Sequence, residues 1–235
     1  MKKILLVSFC LIFLLGCTST SFVKVNPEET WAIYSVSANK FYRFRGFDEN
    51  GAGIIQDIMM AGSYEENPVA YGYTKDFLNY AMIDLKSLFI DKKITLIPNE
   101  TVVTAKLYGQ IKEDSVLLGD KRITVDNLKY FNPNNEKIPY ALAHEIKADK
   151  FLCLDFGFYK DVEKGDYNSG DLIPIVSLDV RLYDKTGRIL LKKEFYAEPS
   201  TYIVLENGRY DEQAFYKLFY PMITQAVKLF GETLQ

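Results

Sequence analysis

The sequence predicts a single α/β domain with helices packed on a mixed sheet, and three observations carry that expectation. Val176, Leu178, Val180 and Leu182 alternate with Ser177, Asp179, Arg181 and Tyr183, the period-two signature of a strand with one buried face. Phe77, Tyr80, Ala81, Leu85, Leu88 and Phe89 recur at helical spacing, and so does the apolar stripe from Phe215 to Phe230. Short apolar runs with strand composition are interleaved with these helical stretches, the order expected when helices cover a sheet.

In chain order, Trp31 to Val36 is apolar and β-branched enough for a first strand. Residues 37–73 carry glycines, charges and aromatics without a clean period, and are expected as an excursion with one short helix around Gly53 to Ala61. Thr74 is the expected N-cap of a helix ending at Asp91, and Ile94 to Ile97 follows as a short strand closed by Pro98-Asn99. Val102 to Tyr108 and Arg122 to Val125 read as strands around a polar loop. Asn132-Pro133-Asn134-Asn135 is a turn, and Pro139 suits the first turn of a helix bearing Tyr140, Leu142, Ala143 and Ile146. The strand Phe151 to Tyr159 comes next, then a loop from Lys164 to Pro174. The alternating run then turns at Asp184-Lys185-Thr186-Gly187, with glycine where positive φ is needed, and returns through Ile189, Leu191 and Phe195. A long helix from Asp211 to Thr233, kinked at Pro221, closes the series. The expected order is strand, helix, strand, helix, strand, hairpin, long C-terminal helix, in one domain over residues 31–235.

The front of the chain is different. Met1-Lys2-Lys3 leads into Ile4 to Leu15, a 12-residue apolar core that runs into Leu14-Leu15-Gly16-Cys17. A membrane span needs about 20 apolar residues, so this length fits a signal peptide instead. The last four residues resemble the lipobox of bacterial lipoproteins with a type II signal peptide. The resemblance implies removal of residues 1–16 and acylation of Cys17, palmitate included, which ties the protein to a lipid bilayer. Thr18, where aspartate is absent, implies the outer membrane with the domain facing the periplasm; the inner membrane and the cell surface stay open. Residues 17–30 are polar enough for a tether. About 13 free residues would reach at most about 45 Å, beside a domain of radius of gyration near 17 Å.

Charge and rare residues narrow the chemistry. A net charge of -3 without a basic cluster excludes nucleic acid as a partner, because that binding rests on Lys and Arg neutralising phosphates. Runs such as Lys147-Ala148-Asp149-Lys150 read as solvated faces. Of three cysteines, the resemblance places Cys10 in the signal peptide and lipid on Cys17, so no internal disulfide is expected and Cys153 reads as a small buried hydrophobe. His144 is the only histidine, which removes most metal-site and catalytic-triad schemes. Gly51-Ala52-Gly53 lacks the spacing of a dinucleotide or phosphate loop. No catalytic, cofactor-binding or metal residue is therefore expected, and the chain is expected not to be an enzyme. Asp155, Asp179 and Arg181 lie on the polar alternates of their strands, and an Asp155 or Asp179 pairing with Arg181 across the sheet is expected. Among 17 tyrosines and 16 phenylalanines, the clusters Phe41 to Arg45, Tyr71 to Tyr73 and Tyr196 to Tyr202 stand off the core stripes, and suit either core packing under long loops or contact surfaces.

Two segments carry a wider resemblance. Ala141 to Leu154 (ALAHEIKADKFLCL) is similar to a helix-then-strand junction, and Val176 to Phe195 to a hairpin with a threonine-glycine turn, of an envelope α/β lipoprotein superfamily. That superfamily includes the curli secretion channel subunit and the lipoprotein activators of penicillin-binding proteins. The resemblance implies fold and envelope location and transfers no functional residue. The leading expectation is a non-enzymatic accessory or assembly factor that binds another envelope component. The alternatives are a subunit of an outer-membrane secretion channel, for which residues 101–126 come nearest to a spanning hairpin, and a small-ligand-binding lipoprotein.

Overall fold

Alternating strands build the centre of the molecule. In the computed structural model, residues 22–40, 42–44, 68–113, 122–131, 137–166, 168–197 and 199–235 are described; Leu14 to Cys17 and the helix expected at residues 53–61 lie outside them. Strands β1 (Thr30–Asn39), β2 (Arg43–Phe44), β3 (Thr95–Leu96), β4 (Arg122–Thr124), β5 (Lys150–Gly165), β6 (Gly170–Asp184), β7 (Ile189–Ala197) and β8 (Ile203–Leu205) form one sheet with the main path β3-β1-β5-β6-β7. β1 runs parallel to β3 and β5, β4 pairs antiparallel with the far end of β1, and β5, β6 and β7 form an antiparallel meander. β2 continues the β1 edge of β5, and β8 continues the β7 edge of β6. The fold is the expected mixed α/β class.

Helices α1 (Pro68–Asp91) and α6 (Phe219–Gly231) pack on one face of the sheet. That face presents Leu152, Leu154, Phe156 and Phe158 of β5 opposite Leu182, Val180, Leu178 and Val176 of β6, all fully buried. Each such side chain contributes about 1.5–3 kcal/mol through removal from water. Phe77 of α1 stands where the layers meet, its ring centroid 5.2 Å from that of Phe158 and 4.6 Å from that of Phe219. The other face is covered over β1 and β5 by α2 (Asn99–Thr104), α3 (Lys106–Gln110) and the chain leading to Phe131. There a register shift between Ile33 and Ser35 turns Tyr34 toward Phe131 and Tyr183. The Tyr108 hydroxyl donates to the Tyr34 carbonyl at 2.9 Å and accepts from the Lys129 amide at 2.7 Å. α4 (Lys137–Ile146) leads into β5, and α5 (Glu212–Lys217) precedes α6.

Four local expectations are corrected. α1 begins at Pro68, not after Thr74, because proline is pre-set for the first helical turn; Thr74 sits inside the helix and is fully buried on the stripe of Phe77, Leu78 and Ala81. Residues 102–108 are not a strand: they fall in α2 and α3, which meet at the extended Ala105, and Val102, Ala105 and Tyr108 are buried. Residues 164–174 are not a loop: β5 and β6 run on as a ladder to the pair Gly165 and Gly170. Pro174 fits within β6 because it falls between the stretches paired with β8 (170–172) and with β7 (176–183), where no third strand asks for its N–H. The C-terminal helix is two helices that break at Leu218, since Pro221 cannot donate to the carbonyl one turn back. Asp211 caps the first of them, accepting from the Ala214 amide at 2.9 Å.

Candidate functional site

The polar side chains singled out in sequence come together on the sheet face opposite α1 and α6. Register aligns Ser37, Asp155, Asp179 and Glu194 in one row across β1, β5, β6 and β7, with Ser35, Cys153, Arg181 and Lys192 in the adjacent row. Asp155 and Asp179 thus face each other directly, and like charges so placed repel. The expected cross-strand pairing is corrected accordingly: Arg181 Nη2 reaches Asp179 Oδ2 on its own strand at 2.9 Å, while Asp155 is held by Arg122 of β4 at 3.2 Å and by the Ser37 hydroxyl at 2.7 Å. Burial holds the Asp179 carboxyl above the usual carboxylate range; Arg181 opposes that and Glu194 reinforces it. Arg122 and Ser37 on Asp155 tie β4 and β1 to β5, whereas the Asp179–Arg181 pair lies within β6.

Loss of Arg181 tests what that within-strand pair contributes. Arg181→Ala leaves Asp179 charged and largely desolvated, and is expected to lower stability by about 1–2 kcal/mol after allowance for its partial exposure. The Asp179→Ala/Arg181→Ala double variant should recover most of the loss, with urea unfolding as the measure.

Cys153 lies fully buried in the same face, and burial, reinforced by Asp155, pushes its thiol up to about 12. That environment suits a core residue and not a nucleophile. His144 is exposed at the end of α4, edge-on to Tyr140 at 5.0 Å, whereas Cys153 is buried with its thiol toward the Phe131 carbonyl. Among the described residues, no group of three or more His, Cys, Asp or Glu is placed to hold a metal ion. The aromatic clusters divide. Tyr42 is buried and Tyr73 packs 4.2 Å from Tyr216, whereas Tyr196 and Tyr202 are 43% and 52% exposed.

One chemically distinctive residue escaped the sequence reading. Lys160 is buried between the rings of Tyr42 and Tyr210, its Nζ 5.6 and 5.2 Å from their centroids and 3.2 Å from the Tyr210 hydroxyl. Glu212 stands nearby, accepting from the Tyr42 hydroxyl at 2.8 Å. Desolvation lowers the Lys160 amine to about 8, with Glu212 opposing the shift. The signal lay in the alternation: Lys160 follows Phe156 and Phe158 on the core face once the strand is carried past Tyr159.

The other site is where the chain enters the fold. Val23 is buried and bridges to Leu234: its N–H donates to the Thr233 carbonyl at 2.8 Å and its carbonyl accepts from the Gln235 N–H at 2.9 Å, while the Val25 N–H donates to the Gln235 carbonyl. Lys150, itself buried, donates to the Lys24 carbonyl at 2.9 Å, pairs with Glu29 at 2.6 Å and lies over the Trp31 ring. The Thr30 N–H donates to the Asp149 carboxylate at 3.1 Å. The chain is therefore docked from Val23, well before Trp31, and the stretch between Cys17 and the folded body is shorter than the 13 residues expected.

No family model and no curated protein matches this chain. Among solved structures, the crystal structure of lipoprotein GNA1162 from Neisseria meningitidis is similar over 85% of this chain and 99% of that one, at 12% identity and a TM-score of 0.28. A likeness that distant carries no argument for fold or function. No helix among the described residues is long and apolar enough to cross a membrane.

Proposed function

We propose that this chain is a lipid-anchored accessory or assembly factor of the bacterial envelope. In this reading Cys17 is acylated, the outer membrane holds the anchor, and the domain faces the periplasm and works without catalysis by binding another envelope component. The observation that carries it is the lipobox-like Leu14-Leu15-Gly16-Cys17, and the docking of residues 23–30 into the fold a few residues later supports it, since a domain held by such an anchor begins shortly beyond it. The chemistry-bearing side chains support the non-catalytic part, since Asp155, Asp179 and Cys153 are taken up by ion pairing and core packing. For the binding surface, the β7 and β8 edge offers exposed Tyr196 and Tyr202, a residue type that interfaces enrich, with the apolar Val204 exposed beside them. The channel alternative loses part of its spanning hairpin, because residues 99–110 form α2 and α3.

The test has two arms. Wild-type protein should incorporate labelled palmitate and sediment with the envelope, and Cys17→Ala should do neither. Cross-linking in intact envelopes should capture one recurrent protein partner, with yield reduced several-fold in Tyr196→Ala/Tyr202→Ala. An unlabelled wild-type chain would sink the anchor, and cross-linking that yields no recurrent partner would sink the accessory role.

A further inference from the structure

Two distances fix how an anchored domain can stand on its membrane. Five residues separate Cys17 from Val23, so full extension allows at most about 20 Å between the acylated cysteine and the docked chain. Val23 sits at the end of the sheet where β5 begins and β6 ends, beside residues 147–150 and the 184–188 turn. β5 spans 16 residues, and at about 3.3 Å each it carries the opposite end, with β8 and the 206–209 turn, roughly 50 Å away. An acylated Cys17 cannot span that length, so the far end cannot be the one that meets the lipid.

We infer that the near end, formed by residues 22–27, 147–150 and 184–188, is a bilayer-facing surface that rests on phospholipid headgroups; the inference presumes acylation of Cys17. The side chains there fit an interface. Phe22 is 53% exposed only five residues after Cys17, an apolar ring placed where the tether approaches the lipid. Three carboxylates of this end are neutralised by basic partners, Glu29 by Lys150, Asp149 by Lys185 and Asp184 by Arg188. Lys24 and Lys147 remain as exposed cations able to meet phosphate oxygens, with the exposed Glu28 offsetting one of them. Between the entering chain and the 184–188 turn lies an open hollow of about 720 Å³, bordered by Phe22, Lys24, Lys185 and Arg188 and of a size to receive headgroups. The surface is nearly balanced in charge, so reach and the exposed ring set the orientation and anionic lipid is not required.

The experiment uses the full acylated chain in vesicles of phosphatidylethanolamine and phosphatidylglycerol. Thr186→Cys at the near end and Arg209→Cys at the far end each add one accessible thiol for a nitroxide label, since Cys153 is buried. A nickel chelate attached to lipid headgroups should relax the label at residue 186 at least several-fold more than the label at residue 209, and a water-soluble chelate should show the opposite preference. Equal responses would mean that the domain lies on its side, and a stronger lipid response at residue 209 would mean that it is inverted; either overturns the inference. Palmitate incorporation measured on the same samples separates the two ideas. Acylated protein with the wrong pattern refutes the orientation alone, whereas absence of acylation removes the anchor as well.

Discussion

Truncating Phe77 to alanine is expected to remove about 3–5 kcal/mol of folding free energy, the range found when a fully buried phenylalanine leaves a cavity. Phe77 is completely buried, and its ring meets three other elements: Phe158 on the sheet at 5.2 Å, Phe219 on α6 at 4.6 Å, and Tyr216 on α5 at 4.8 Å. Neighbours from three separate elements cannot collapse together into the vacated space, which puts the cost toward the upper end. Against a typical domain stability of about 5–15 kcal/mol, such a loss is a large fraction of the total. Urea unfolding should show the midpoint falling with little change in slope. Ile83, on the same helix but 64% exposed, is the internal control, and Ile83→Ala should stay within about 0.5 kcal/mol of wild type. A Phe77→Ala loss under about 1 kcal/mol would show that α1 does not seal the sheet as described.

The parts of the fold readable from sequence are those governed by local pattern. The hairpin is legible because β6 alternates from Val176 to Tyr183 and Gly187, at φ 82°, closes the turn. Helices α2 and α3 are not, because Thr101-Val102-Val103-Thr104 has local strand propensity. Tertiary burial of Val102, Ala105 and Tyr108 overrides it, and Thr104 settles its hydroxyl on the Glu100 carbonyl at 2.6 Å. The continuation of β5 and β6 was masked by Lys160, Gly170 and Pro174, residues whose strand positions make sense only once the neighbouring strands are known. The candidate sites divide in the same way. Which face Asp155, Asp179 and Arg181 occupy follows from period two, but who pairs with whom depends on register. Asp155 lands opposite Asp179, so each takes a different arginine, and Arg122 arrives from a strand that the pattern places nowhere in particular. The docking of Val23 on residues 233–235 is the extreme case, a contact between segments more than 200 residues apart that no window along the chain can reveal.

Lys160 leads to the second large effect, a stability that depends on alkaline pH. Its folded-state amine titrates near 8, against about 10.4 for an unfolded lysine. Below pH 8 both states hold the proton and the burial penalty is fully present. Between about pH 8 and 10 the folded state gives up the proton while the unfolded state keeps it, so stability rises with pH, by up to about 1.4 kcal/mol per unit. Tyrosines impose the opposite slope beyond that. Burial raises Tyr34, Tyr42, Tyr108 and Tyr216 above their usual value, so above about pH 10 the unfolded state ionises first and stability falls. Wild-type stability should therefore climb by about 1 kcal/mol from pH 8 to pH 9.5, where the tyrosines already offset part of the lysine's gain, and then decline. Lys160→Met should abolish the climb and keep the decline. At pH 7 the variant should be as stable as wild type or more stable by up to about 2 kcal/mol, because relief of a buried charge outweighs the lost contacts with the Tyr42 and Tyr210 rings. Urea titrations at pH 7, 8, 9 and 9.5 check both limbs. An unchanged climb in the variant would assign the proton to another group, and a loss of several kcal/mol at pH 7 would show that the ammonium, held between two tyrosines with Glu212 behind them, stabilises the fold in its charged form.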